Sequence, residues 1–447
     1  MRKAAFHTLG CKVNSWETEA MEQLLEADGY EIVPFTEKAD VYVINTCSVT
    51  NVADRKSRQM LHRAKKMNPD AVVVAAGCYV QSAEGALKQD DAVDLIVGND
   101  RKTELARLLN EYLEERGAGK REKKEDVLDM NEVHEFEDLH ISRTEEHTRA
   151  FIKVQDGCNQ FCSYCIIPYT RGRIRSRRPG DVVREVTRLA ASGYKEFVLT
   201  GIHLASYGKD FKDAMEGAGD SNMNLLDLIV MLDRVPGVER IRLGSLEPRV
   251  VTREFAQTIA TLRTICPHFH LSLQSGCDAT LERMNRHYTA KEYLYSCDEL
   301  REAFDHPAIT TDVIVGFPGE TEEEFEESRR FLEKVNFYEM HVFRYSRRKG
   351  TRADRMDHQI PEAEKEKRSD ILIRMGDEMS KEFRRWYLGK ETEVLLEEPV
   401  EIDGVKYMMG HTREYVKGAV PYRDGMKNVT VRGTFTRMLN DEVLLLE

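Results

Sequence analysis

Three thiols, Cys158, Cys162 and Cys165, fall within eight residues in the spacing C-x3-C-x2-C, directly after the strand-like run Ala150–Gln155. No other stretch constrains the fold as strongly. A loop of this length can wrap its sulfurs around one corner of a metal centre at the end of a strand. It offers three ligands, whereas structural zinc normally takes four and closes its shell, and no fourth Cys or His follows within the usual distance. Iron–sulfur clusters are also held by Cys thiolates, and a cluster with three protein ligands keeps one iron free. Zinc and buried free thiols are the competing readings of the loop.

Strand-like and helical patterns alternate on both sides of it. Residues 1–110 give strands at Ala4–Leu9, Val41–Asn45, Ala71–Ala76 and Leu95–Val97, with helices over Ser15–Asp28 and Asn51–Met67. This order predicts an α/β fold, a doubly wound parallel sheet. In such a sheet the strand C-termini share one edge, where ligands bind. Cys11, Cys47 and Cys78 each follow one of the first three strands by one or two residues. The edge therefore gathers three thiols from distant positions, which reads as a second three-thiolate iron–sulfur site; chance placement is the bland alternative.

From residue 111 the pattern dissolves into charge, including the run Lys120–Asp126. That composition reads as a solvated linker over 116–147, after a first domain at 1–115. Residues 148–350 then alternate about six times. Strands are expected at Phe151–Gln155, Phe197–Thr200, Arg240–Ser245, His268–Leu273, Thr310–Val315 and Glu339–Tyr345. Six βα units predict a curved, partial (β/α)6 barrel over 148–380, with its chemistry at the strand C-termini. Thr321 to Glu324 has the spacing of a capping box. Two arginine runs follow the first and sixth of these strands, so Arg171, Arg173, Arg175, Arg347 and Arg348 are expected to rim the mouth and bind phosphates. The net charge of −12 speaks only weakly against a nucleic acid partner when basic residues cluster. An amphipathic helix over 361–387 precedes five short β-prone runs, which read as a small antiparallel barrel at 381–447. Small barrels of this kind often bind oligonucleotides.

Nine cysteines in 447 residues, with no signal-peptide pattern, suit a reducing cytoplasm better than a disulfide framework. The lack of any run of eighteen apolar residues argues against a membrane span. Cys266, Cys277 and Cys297 read as incidental buried thiols.

With Tyr164 as its aromatic, the loop resembles the C-x3-C-x-aromatic-C signature of radical S-adenosylmethionine enzymes. Adding the Cys11/Cys47/Cys78 domain and a C-terminal segment like the RNA-binding TRAM domain, nearly the whole chain resembles the methylthiotransferases. Leu273-Gln274-Ser275-Gly276, Met284-Asn285-Arg286, the stretch Asp312 to Thr321, and Gly410 to Tyr415 also match. The opening His7 to Asn14 looks most like the branch acting on N6-threonylcarbamoyladenosine beside the anticodon. Cys277 departs from the residue usual after Gln-Ser-Gly.

The resemblance implies a transferase with two [4Fe-4S] clusters, one on each cysteine trio, and S-adenosylmethionine near Tyr164, Gly201, Ser245, Gln274 and Gly316. One cluster would pass an electron, from an unidentified donor, to S-adenosylmethionine, and the resulting 5′-deoxyadenosyl radical would attack C2 of the base. The other would supply sulfur, methylated by a second S-adenosylmethionine. The partner implied is a tRNA anticodon loop, with Arg413 joining the RNA-binding set. Rival readings are methylthiolation of isopentenyladenosine or of a ribosomal-protein aspartate, and a non-catalytic iron–sulfur sensor that binds RNA.

Overall fold

A computed structural model describes residues 1–120, 122–143, 148–211 and 222–447; Arg121 and residues 144–147 of the expected linker lie outside these. The first sheet comprises β1 (Lys3–Thr8), β2 (Glu31–Val33), β3 (Val41–Thr46), β4 (Val72–Gly77), β5 (Leu95–Val97) and β6 (Lys124–Asp126), in the order β2-β1-β3-β4-β5-β6. Every pair is parallel. All residues of β3 and β4 are buried, as a strand covered on both faces requires. On one face Met21, Leu25, Leu105, Leu109 and Tyr112 pack against Phe6, Val41 and Val43. On the other, Leu61, Ala64, Tyr79 and Leu87 cover Tyr42, Ile44 and Val73. The order reverses between β1 and β3, and in sheets of this winding that switch point is where ligands bind.

The segment expected to be a solvated linker is folded. β6 extends the sheet edge, and Met130, Val133, Leu139 and Ile141 are buried. The Glu137 carboxylate, also buried, accepts from the backbone N–H of Thr103 at 3.0 Å. Its few apolar residues are too sparse to show a period, while charged neighbours such as Lys124 pair outward with Glu111 and Glu115.

The central strands are β7 (Arg149–Asp156), β8 (Arg175–Ser176), β9 (Glu196–Gly201), β10 (Arg240–Leu243), β11 (His268–His270), β12 (Ala308–Val315) and β13 (Glu339–Arg344). They form a four-stranded sheet, β10-β9-β7-β8, and a three-stranded one, β11-β12-β13. Parallel bridges Ile241–Ile265 and Leu246–Leu271 join the two, so the parallel strands follow one another in chain order, with β8 antiparallel on β7. One core joins their outer face to helices such as Pro179–Ala191, Ala290–Ala303 and Glu322–Val335. Thr321 and Glu324 form the expected capping box.

After the helix Glu362–Arg385 come β14 (Glu391–Ile402), β15 (Val405–His411), β16 (Lys417–Pro421), β17 (Thr430–Met438) and β18 (Val443–Leu446), closed in the order β14-β15-β16-β18-β17. The β16/β18 pair is parallel, so the closure is not wholly antiparallel. Arg240 and Arg242 of β10 donate to the backbone carbonyls of His411 and Arg413, both at 2.9 Å, fixing this unit to the central strands. Among the described residues no helix is long and apolar enough to cross a membrane.

Candidate active site

The Cys158 loop leaves β7 through Gly157, whose φ of +68° is open to glycine. A Cβ there would lie 1.7 Å from the Arg173 carbonyl oxygen, so the loop folds tightly against residues 172–173. The Cys158 N–H donates to the Gly172 carbonyl at 3.0 Å. A pocket of about 130 Å³ opens beside the thiols, lined among others by Cys158, Cys162, Cys165, Tyr164, Ser245 and Gln274. Gln274 holds the left-handed φ of 73°, a strain that tends to collect at functional sites. Of the residues expected here, Gly201 ends β9 against Gln155 and Gly316 turns against Lys365, so neither lines the pocket.

Three lining groups were not singled out from the sequence: His203, Glu247 and Arg286. Arg286 donates to the Cys162 sulfur at 3.1 Å; its stretch Met284-Asn285-Arg286 was the available signal. His203 Nε2 lies 3.3 Å from Glu247. Burial opposes ionisation of Glu247, but hydrogen bonds from His203 and Arg249 hold its carboxyl at about 2. The pocket thus combines a fixed anion, a thiol-bound guanidinium and amide groups, a suitable set for a zwitterionic ligand.

Cys11, Cys47 and Cys78 gather at the switch point of the first sheet. Gly10, at φ +100°, permits this: a Cβ there would come within 2.8 Å of the Cys47 Sγ. Burial pushes the Cys47 and Cys158 thiols up to about 11, so thiolate forms when a cation is bound, with proton release. Among the described residues, the only three His, Cys, Asp or Glu side chains whose ligand atoms all lie within 4.8 Å of one another are His270, Asp312 and His341.

The arginines expected at the phosphate rim are largely elsewhere. Arg171 is wholly buried between the two trios. It donates to Glu17 at 2.8 and 3.1 Å, Asp156 at 3.0 Å, Asn14 at 2.7 Å and the Cys78 sulfur at 3.3 Å. Arg175, 1% exposed, donates to the Arg171 and Arg173 carbonyls. Arg348 is buried against Asp54, Asn51 and Ser48. Arg413 donates to the carbonyls of Arg263 and Ile265, and Arg347 is exposed but paired with Asp354 at 2.7 Å. Arg173 remains near the surface, its guanidinium 4.6 Å from the Phe161 ring centroid. For Arg171 and Arg348 the counter-charges, Glu17 and Asp54, lie far away in sequence, and no local pattern displays them.

Parallel strands carrying a three-thiol loop at their C-terminal edge define a radical S-adenosylmethionine enzyme, and residues 152–332 match the Radical SAM superfamily. Residues 3–98 match the uncharacterized protein family UPF0004. The fold is shared with a radical S-adenosylmethionine methyltransferase, TsrM, from Kitasatospora setae (TM-score 0.56, 16% identity, 77% of this chain and 72% of that one). Threonylcarbamoyladenosine tRNA methylthiotransferase MtaB of Bacillus subtilis is 40% identical over 99% of this chain and 98% of its own. The Aquifex aeolicus protein of that name is 42% identical over 88% and 92%. A tRNA-2-methylthio-N(6)-dimethylallyladenosine synthase of Clostridium botulinum is 35% identical over 91% and 88%. The chain belongs to the methylthiotransferase family.

Proposed function

We propose that this enzyme adds a methylthio group to C2 of N6-threonylcarbamoyladenosine in a tRNA anticodon loop. The observation that carries the reading is the pair of three-thiol sites, one at the C-terminal edge of each parallel sheet, with Arg171 buried between them. Full-length similarity to the threonylcarbamoyladenosine-specific relatives supports this substrate.

Cys158, Cys162 and Cys165 would hold one [4Fe-4S] cluster and Cys11, Cys47 and Cys78 a second, auxiliary one. When bound, these groups supply radical cleavage of S-adenosylmethionine and a source of sulfur, chemistry that side chains alone lack. The chain's own share is placement. Tyr164, Ser245, Gln274 and Glu247 would bind S-adenosylmethionine against the first thiol loop, with Glu247 as the acceptor for its ammonium or ribose hydroxyls. Arg171 and Arg286 donate to one sulfur of each trio, and hydrogen bonds to sulfur tune cluster potential. An external donor would deliver the electron. The units 1–115, 148–380 and 381–447 would act as sulfur-donor, radical and TRAM-like RNA-binding domains, the central strands forming the partial barrel.

Sequence-specific RNA readers stack splayed loop bases on aromatic rings. Tyr169, 53% exposed, stands edge-on to Phe161 at 6.0 Å and shares a surface pocket with Arg352 and Arg355. This surface beside the thiol loop replaces the expected arginine rim. Tyr169→Ala is expected to weaken binding of the anticodon stem-loop by about 1–3 kcal/mol, the worth of one stacked base, measured by fluorescence anisotropy at fixed salt. Nucleoside mass spectrometry of tRNA treated with the reconstituted enzyme tests the substrate directly. Product on the isopentenyl base, with none on the threonylcarbamoyl base, would overturn this choice.

A further inference from the structure

β11, β12 and β13 lie side by side in parallel register, with His270 opposite Thr310 and Asp312 opposite His341. Side chains alternate between the two faces of a strand. Phe269, Leu271, Ile309 and Val313 enter the core under the helices, and Met340 and Val342 pack against it. His270, Asp312 and His341 therefore point the other way, onto the inner face of the central strands. There His270 Nε2 lies 3.3 Å from Asp312, and the His270 and His341 rings stack at a centroid distance of 5.9 Å. The ligand atoms of all three fall within 4.8 Å of one another.

A plain ion pair would account for His270 and Asp312. It leaves unexplained the second imidazole, since His341 has no hydrogen bond or ion pair with any described residue. It also leaves unexplained what stands behind the first: His270 Nδ1 is 3.0 Å from the Thr310 hydroxyl oxygen. With the Nδ1 proton donated to that oxygen, the Nε2 lone pair faces Asp312. That is the tautomer a metal-bound imidazole needs, and metal-ligating histidines are oriented in this way through their other nitrogen. Metal–ligand bonds of about 2.0–2.2 Å put two ligands of one ion roughly 3–4 Å apart. The His270–Asp312 pair already has this spacing. His341, exposed on the edge strand β13, reaches it by a small rotation of its side chain.

We propose that His270, Asp312 and His341 bind one divalent first-row transition ion, such as zinc or ferrous iron. Two imidazoles and one carboxylate suit such an ion better than magnesium or calcium, which take oxygen ligands. Ligands from three neighbouring strands occupy one side of the ion, so its remaining positions face the space enclosed by the central strands and take water or an oxygen of a bound molecule. Ser272 and Gln274 follow His270 in steps of two and line the pocket beside the thiols. Two residues of extended chain place the ion about 7 Å from that pocket. The site uses no residue of either cysteine trio and stands whichever base is the substrate.

The test uses full-length enzyme, reconstituted without oxygen so that both cysteine trios are filled, then stripped of loose metal by a chelator and gel filtration. Zinc is titrated in competition with a chromophoric chelator, and zinc and iron per chain are counted. Wild type is expected to hold about one zinc per chain in addition to its cluster iron. Thr310→Val, which removes only the hydroxyl behind His270, is expected to weaken zinc binding by about 10- to 100-fold, the usual effect of losing such a support. His341→Ala, at an exposed position, is expected to weaken it by at least about as much. Iron content and the circular dichroism spectrum should be unchanged in both. Wild type that holds no zinc once its clusters are in place would overturn the site and leave a plain His–Asp pair. Zinc held equally by wild type and His341→Ala would also overturn it, assigning the metal to cysteines or to the surface.

Discussion

Cys47→Ala is expected to abolish methylthio transfer while 5′-deoxyadenosine still forms from S-adenosylmethionine. Cys47 follows β3 at the switch point of the first sheet, in a hollow that Gly10 keeps open. It does not line the pocket beside Cys158, Cys162 and Cys165. The two thiol sets belong to separate sheets, so loss of one leaves the other's backbone in place. Chromatography of the reaction should show 5′-deoxyadenosine near the wild-type amount and no methylthiolated nucleoside. Product from Cys47→Ala at the wild-type rate would remove the first domain from the chemistry.

Arg171→Met is expected to destabilise the chain by about 3–5 kcal/mol, the usual consequence of leaving a buried charge without its partner. Such a loss is a large share of the 5–15 kcal/mol or so that holds a typical domain folded. Lys153, 2.7 Å from Glu17 and 2.6 Å from Asp156, and Lys102, 3.3 Å from Glu17, would compensate only in part. Burial opposes ionisation of Glu17 and Asp156, but Arg171 and Lys153, joined by Lys102 at Glu17 and by Arg175 at Asp156, hold both carboxyls well below the usual range. Groups with depressed pKa values contribute stability above their unfolded value, near 4, and lose it as pH falls through the folded one. The deficit of Arg171→Met should therefore be largest above about pH 4.3 and narrow on further acidification. Urea denaturation of the apo chain from neutral to acid pH reads this out; a deficit independent of pH would assign Arg171 a packing role alone.

The legible parts of the fold are those with a local physical signature. β1, β3, β4 and β5 read directly, because strands covered on both faces are continuous apolar runs, and each of the first three hands the chain to a cysteine. Short edge strands β2 and β6, three residues each, carry too little pattern, and the charge of 120–126 obscures the folded strap behind it. The grouping of the thiols was legible from their spacing and strand-end positions, and the resemblance pointed to Tyr164, Ser245 and Gln274, which line the pocket beside Cys158, Cys162 and Cys165. Arg171 was misread because its partners Glu17 and Asn14 lie more than 150 residues away: a basic run exposes charge to inspection but hides what neutralises it.

The proposed reaction needs two separate iron–sulfur sites, each held by three thiolates. Iron and sulfide counting, with electron paramagnetic resonance, on Cys158→Ala/Cys162→Ala/Cys165→Ala enzyme prepared without oxygen tests that most directly. About four irons per chain are expected in this variant against about eight in wild type, with the signal of the surviving cluster intact. A wild-type chain holding only about four irons, or a triple variant holding none, would contradict it.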